Sequence, residues 1–237
     1  LVVHPKNKTG LIYSTVTLSS EYYNKHRDKS TEKQMYMYYL SSVSYPPSLA
    51  GSSLLIHERV NAALVPRQAW AYITGQRRVV RVPTIEYDSP MPRAEGIRFA
   101  DEIDIFNGAL DRYQWRLIGK EELIIPYNNN RFFEKLLEFD EIKDDLFSPY
   151  HLNPDFLRYE KHRVWKVEGV LKQGKSHPYK KRIIYMDEDS WGAVLAENYD
   201  RNDELWRVSA SYVKLHHKLP AVFKVADVFH DLKSTSY

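Results

Sequence analysis

Cysteine is absent from all 237 residues. That excludes a disulfide scaffold, a thiolate zinc site, a thiol nucleophile and a lipid-modified cysteine within this sequence. Long apolar runs are missing too, and none approaches the ~20 residues a helix needs to cross a bilayer. Charge of one sign is scarce: 34 Lys and Arg against 31 Asp and Glu leave a net +3, spread along the chain. This is too small and diffuse for phosphate-backbone binding, so no nucleic-acid partner is expected. The 9 glycines form no phosphate-cradling loop. There is no Gly-x-Ser-x-Gly elbow, His-Glu-x-x-His helix or calcium-loop spacing, and His151, His162, His216 and His217 form no compact ligand motif. The expectation is a non-enzyme without metal or cofactor.

What is present points to β structure. Aromatic residues make up 14% of the chain, with 18 Tyr and 5 Trp, and such side chains favour pleated surfaces with one dry and one wet edge. Short runs rich in Val, Ile, Tyr and Trp recur between polar turn clusters, the pattern of a strand meander. Strands are predicted at Leu11–Leu18, Met35–Tyr45, Ser53–Val60, Trp70–Thr74 and Arg77–Val82, the last two flanking a tight turn at Gly75-Gln76 whose glycine would supply positive φ. Pro83–Leu110 reads as loop plus one short helix. Strands resume at Trp115–Leu117 and Glu122–Tyr127, and Arg131–Phe139 has helix-like apolar spacing. His162–Leu171, Lys181–Met186, Trp191–Tyr199, Glu204–Leu215 and Ala221–Phe229 then follow as consecutive strands. About ten twisted strands cannot stay flat. The expected fold is therefore mainly β: one domain over residues 1–237, built as a large curved antiparallel sheet, an open, unclosed barrel, with a few short helices on its concave side.

Several ordered motifs carry a resemblance. Pro66-Arg67-Gln68-Ala69-Trp70-Ala71-Tyr72, then Gly75-Gln76-Arg77-Arg78-Val79, Phe106-Asn107-Gly108, Asp111-Arg112-Tyr113 and Trp115-Arg116-Leu117 come first. His151-Leu152-Asn153-Pro154-Asp155, His162-Arg163-Val164-Trp165, Asp187-Glu188-Asp189-Ser190-Trp191 and Leu205-Trp206-Arg207-Val208 follow. From about Tyr38 to the end, the chain resembles a bacterial envelope family catalogued only as a domain of unknown function, DUF family 1329. Members look roughly twice as long and carry an export signal. This chain, starting Leu1-Val2-Val3 without methionine, is accordingly expected to be the carboxy-terminal half of an exported protein. Relatives resemble the Lol-type carriers of outer-membrane lipoproteins, in which a curved sheet holds an acyl chain against short helices. The resemblance thus implies a non-catalytic carrier of a lipid or acyl-chain-like ligand in the Gram-negative periplasm. Outer-membrane association, or an inner-membrane exporter of the resistance-nodulation-division type, would supply its partners. The alternatives are a protein-interaction module of an envelope complex, engaged by β-augmentation, and a carbohydrate-binding or carbohydrate-active protein using aromatic platforms.

Strand alternation groups Trp70 with Tyr72, Trp165 with Val167, Trp191 with Ala193, and Trp206 with Val208. Together with the carrier resemblance, this makes Trp70, Tyr72, Trp165, Trp191 and Trp206 the expected ligand-binding wall on the concave face; ordinary core is the competing reading. Arg77, Arg78 and Arg81 balance Asp101, Glu102 and Asp104 in sign, and structural ion pairs between the two groups are expected.

Overall fold

The computed structural model describes residues 2–4, 14–21, 35–82, 87–91, 94–218 and 221–237. They form a mainly β protein with two compact units, one covering Leu11–Ser89 and the other Val2–Gly10 with Pro90–Tyr237. The strands anticipated as one sheet fall into two hydrogen-bonded ladders. The segment between them folds in part as 3-10 turns at Ala100–Glu102 and Leu110–Arg112, which cannot extend a ladder.

The first unit is an open antiparallel sheet of β1 (Ser14–Glu21), β2 (Met35–Tyr45), β3 (Ser53–Arg59), β4 (Gln68–Ile73) and β5 (Arg78–Val82), paired in chain order. The predicted first strand began at Leu11, and residues 11–13 lie outside the described residues. Ile56 stands opposite Ala69, and the two are buried on the face that also holds Val43 and Glu58. Burial raises the Glu58 carboxyl, while Arg67, in an ion pair with it, pulls the other way. Between β4 and β5, the 3-10 turn Thr74–Gln76 hands the positive φ of 48° to Arg77. Gly75, expected to take that conformation, does not.

The second unit pairs β6 (Tyr113–Pro126), β7 (Tyr159–Leu171), β8 (Lys181–Asp187), β9 (Ala193–Tyr199), β10 (Leu205–His216) and β11 (Ala221–Asp231), again antiparallel and in chain order. From Trp165 to Phe229 the described residues contain no helix, and every strand follows its predecessor, as turn spacing predicted. Two predicted strands merge into β6 across a bulge between Leu117 and Gly119, whose φ of 154° an L side chain rarely adopts. Two short helices follow β6: α1 (Asn130–Leu136), predicted, and α2 (Phe139–Leu146), not predicted.

This sheet curls. At the end of β6 the Asn129 N–H donates to the Val213 carbonyl on β10 at 2.8 Å, and Ile125, Tyr127 and Val213 share one buried cluster. Four strand spacings are thus bridged on one face, which is the concave one. Both ends of the unit close against it: Val3 and Tyr237 exchange backbone hydrogen bonds of 2.6 and 3.1 Å and belong to the same core.

Candidate ligand-binding site

Cross-strand partners share a face, so register sorts the second sheet. One face carries Val164, Tyr185, Leu195, Ala210, Tyr212 and Val228. Phe132 of α1 meets Tyr212 edge-on at 5.9 Å, and Ile142 and Leu146 of α2 complete the same cluster. A second cluster joins Ile125, Tyr127, Val164, Tyr185, Val194 and Val213. Leu195 packs against both, and Leu123, Ile183 and Val222 border the second, only partly buried. The concave face therefore carries two apolar clusters joined at Leu195, the first under two helices of 7 and 8 residues, with Glu121, Lys166, Asp187 and Glu197 in register on the same face. Helices that short are not stable alone; the few apolar side chains they bury, each contributing about 1.5–3 kcal/mol, hold them in place.

The tryptophans expected on that face are not there. Trp165 stands in register with Lys120 and Met186, on the opposite face from Val164, with the Lys120 ammonium 4.0 Å from its ring centre. Trp206 falls at a bulge between Leu205 and Arg207, which turns it against Phe99 and Tyr179 on that opposite side. Its Nε1 donates to Asp231 at 3.0 Å. Trp191 sits in the β8–β9 turn at φ 58°, stacked on Trp165 at 6.2 Å and 64% exposed. The alternation argument grouped each residue with its strand neighbours but had no means of choosing the covered face, and it placed Trp206 beside Val208 because it did not see the bulge. Trp70 and Tyr72 belong to the first unit, on the face opposite Ile56 and Ala69; Trp70 packs on His57 at 4.7 Å.

The acidic cluster is satisfied by groups of its own unit. Asp101 is gripped by Arg182 through two bonds of 2.5 and 3.0 Å, with His177 Nε2 at 3.3 Å. Glu102 accepts from the Phe99 N–H, the Tyr179 hydroxyl and Asn198 Nδ2. Asp104 pairs with Lys224. Arg182 also bonds Asn198, and Arg207 joins Asp231, Tyr179 and the Gly96 carbonyl. The predicted cations Arg77, Arg78 and Arg81 are instead exposed residues of the first unit's β4–β5 hairpin. Each acid of the expected pairing thus has its partner within the second unit. The loop is clamped on the convex face by a buried charge network. Its sequence signal was an arginine, Arg182, among the apolar residues of β8.

The sequence profile of the family described as "Protein of unknown function (DUF1329)" matches residues 3–237. The chain belongs to this DUF1329 family. It is 41% identical over 200 residues to the uncharacterized protein PA3922 of Pseudomonas aeruginosa, a match covering 84% of this chain and 43% of that protein. The chain thus spans less than half of that relative. Its fold is similar to the crystal structure of a DUF1329 family protein from Desulfovibrio piger, with a TM-score of 0.59, 15% identity and 99% and 77% of the two chains covered. It is also similar to a putative outer membrane lipoprotein-sorting protein domain from Vibrio parahaemolyticus, at a TM-score of 0.61 and 14% identity, with the same coverage. These likenesses fix the fold. Among the described residues of this DUF1329 chain, no helix is long and apolar enough to cross a membrane.

Proposed function

We propose that this chain is a non-catalytic carrier domain that shields a lipid or other hydrophobic molecule in the bacterial periplasm. The observation that carries this reading is the pair of apolar clusters on the concave face of the second sheet, one of them packed under the short helices α1 and α2, in a fold similar to a lipoprotein-sorting domain. An acyl chain entering between helices and sheet would replace side-chain contacts with its own. At about 25 cal/mol per Å², each few hundred Å² of buried chain offsets several kcal/mol of the cost of leaving a membrane. The border residues Leu123, Ile183, Leu195 and Val222, only partly buried, mark the entry. Delivery to or from an envelope exporter, or an outer-membrane component, follows as the partner hypothesis.

Native mass spectrometry of the purified chain with organic extraction would identify a co-purifying lipid, and a lipophilic fluorescent probe would report binding. Leu195→Asp, at the join of the two clusters, is expected to weaken probe binding at least tenfold with the β-sheet circular-dichroism signal kept. Trp191→Asp, in the exposed turn, is expected to leave binding unchanged. Absence of both lipid and probe binding, or the reverse ranking of the two variants, would reject the concave face as the site.

A second reading has its own support. β6 is an edge strand of 14 residues with Leu117, Ile118 and Ile124 exposed, the last at 71%. An envelope partner would add a strand there, although the bulge at Ile118 and the charges of Arg116, Lys120 and Glu122 blunt that edge.

A further inference from the structure

Two of the motifs quoted above, His162-Arg163-Val164-Trp165 and Asp187-Glu188-Asp189-Ser190-Trp191, meet in a polar cleft that the carrier reading does not use. The cleft has a volume of about 240 Å³ and is lined by Glu122, Lys161, His162, Arg163, Glu188 and Asp189. We infer that it is a binding site for one first-row divalent cation of the zinc class, held by His162 Nδ1 and the carboxylates of Asp187 and Asp189.

The distances fit such an ion. His162 Nδ1 lies 3.0 Å from Asp187 Oδ1 and 3.8 Å from Asp189 Oδ2, and all three ligand atoms fall within 4.8 Å of one another. Bonds of about 2.1 Å place neighbouring ligands roughly 3 to 3.5 Å apart, so the ion needs little more than a turn of the Asp189 side chain, which is 80% exposed. A nitrogen with two carboxylates and no thiolate suits zinc or manganese and leaves a position open to water.

The surroundings are built for it. Asp187 has no exposed surface; its Oδ2 accepts from the Ser190 N–H at 2.8 Å, the Ser190 hydroxyl at 2.6 Å and the Tyr127 hydroxyl at 3.3 Å. Among the described residues, its Oδ1 faces His162 Nδ1 at 3.0 Å. The Tyr127 ring lies 4.1 Å from the imidazole and fixes its plane. On the far side of the ring, His162 Nε2 lies 3.4 Å from Glu160 Oε2, and a ligating histidine almost always gives its second N–H to such a carboxylate. The cation would take the place of the proton between Nδ1 and Oδ1, with the ring's proton on Nε2 facing Glu160. Nearby cations are already committed: Lys161 to Glu122, Arg163 and Lys120 to Glu188, and Arg158 to Glu160. The three ligands are spread over β7, the end of β8 and the following turn, which is why no local spacing announced them and the sequence was read as metal-free.

Zinc and, separately, manganese would be titrated calorimetrically into the EDTA-treated full chain, with the emission of Trp191, two residues from Asp189, as an optical readout. One zinc per chain is expected. Asp189→Asn should weaken binding at least tenfold and Glu160→Gln about tenfold, while Glu134→Gln, exposed on α1 and outside the cleft, should bind as the parent does. No saturable zinc binding, or parent-like affinity in Asp189→Asn, would overturn the site. Asp189 is exposed, so that variant decides the matter even if His162→Gln fails to fold.

Discussion

Glu102 offers a sharp test of how the buried charge network acts on stability. Its side chain has no exposed surface, and the three donors around it are the Phe99 N–H at 2.6 Å, the Tyr179 hydroxyl at 3.1 Å and Asn198 Nδ2 at 3.2 Å. Burial pushes the carboxyl up from 4.5 to about 7; the Arg182 guanidinium opposes the rise and the neighbouring Asp101 adds to it. A raised acid favours its protonated form in the folded state. Its contribution is complete below about pH 4.5 and is lost as pH rises through about 7. The gap between 4.5 and about 7 corresponds to about 3 kcal/mol. Asp101 behaves oppositely: burial would raise it, but Arg182 and His177 hold it at about 2, so its contribution disappears only in acid below about pH 4.

Glu102→Gln keeps an acceptor in place and removes the titration. Urea unfolding of both proteins between pH 4.5 and 8 gives the difference in stability at each pH. The parent is expected to lose about 3 kcal/mol relative to the variant across that range, because only the parent must deprotonate a buried acid. A difference that stays flat, or that moves in the parent's favour as pH rises, would refute the reasoning. It would mean that the donors around Glu102, with Arg182 and Arg207, outweigh desolvation.

The strands were legible in the sequence because period-2 apolar runs and turn clusters are local signals. β7 to β11 appear where the Asp187-Glu188-Asp189-Ser190 and Asp200-Arg201-Asn202-Asp203 clusters placed them. What failed was everything that depends on which face is covered. Val164 and Trp165 are adjacent, both apolar, and equally good candidates for an inner wall; only α1 and α2, docked on the side of Val164, decide between them. Trp206 was misassigned for another reason: a single bulge residue cancels the alternation rule. α2 escaped notice because Phe139, Ile142 and Leu146 are spaced helically but sit among Asp140, Glu141, Lys143, Asp144 and Asp145. Asp101 and Glu102 were matched with Arg77, Arg78 and Arg81, since nothing local shows that Arg182, some eighty residues on, lies inward. The His162–Asp187–Asp189 cluster was unreadable for the same reason, being assembled by strand pairing.

Two further outcomes follow from the packing of the second unit. Gly169→Ala would place a Cβ 2.6 Å from the Trp115 ring, which is held by its Nε1 bond to the Leu110 carbonyl and by Phe106; a loss of about 1–3 kcal/mol is expected in thermal or urea unfolding, and an unchanged midpoint would show that Trp115 moves freely. The last concerns the Asp101–Arg182 pair, whose side chains are both 2% exposed. Arg182→Met leaves a buried carboxylate without its main partner and is expected to cost about 3–5 kcal/mol. Part of that cost is the stranded charge rather than lost attraction, so Asp101→Asn introduced on top of Arg182→Met should restore about 1–2 kcal/mol. The recovery is incomplete because Asn198 Oδ1 loses its Arg182 donor in the double variant. A double variant no more stable than Arg182→Met alone would show that the carboxylate is not stranded, and that the clamp on Ala100–Glu102 rests on Glu102 and its neutral donors instead.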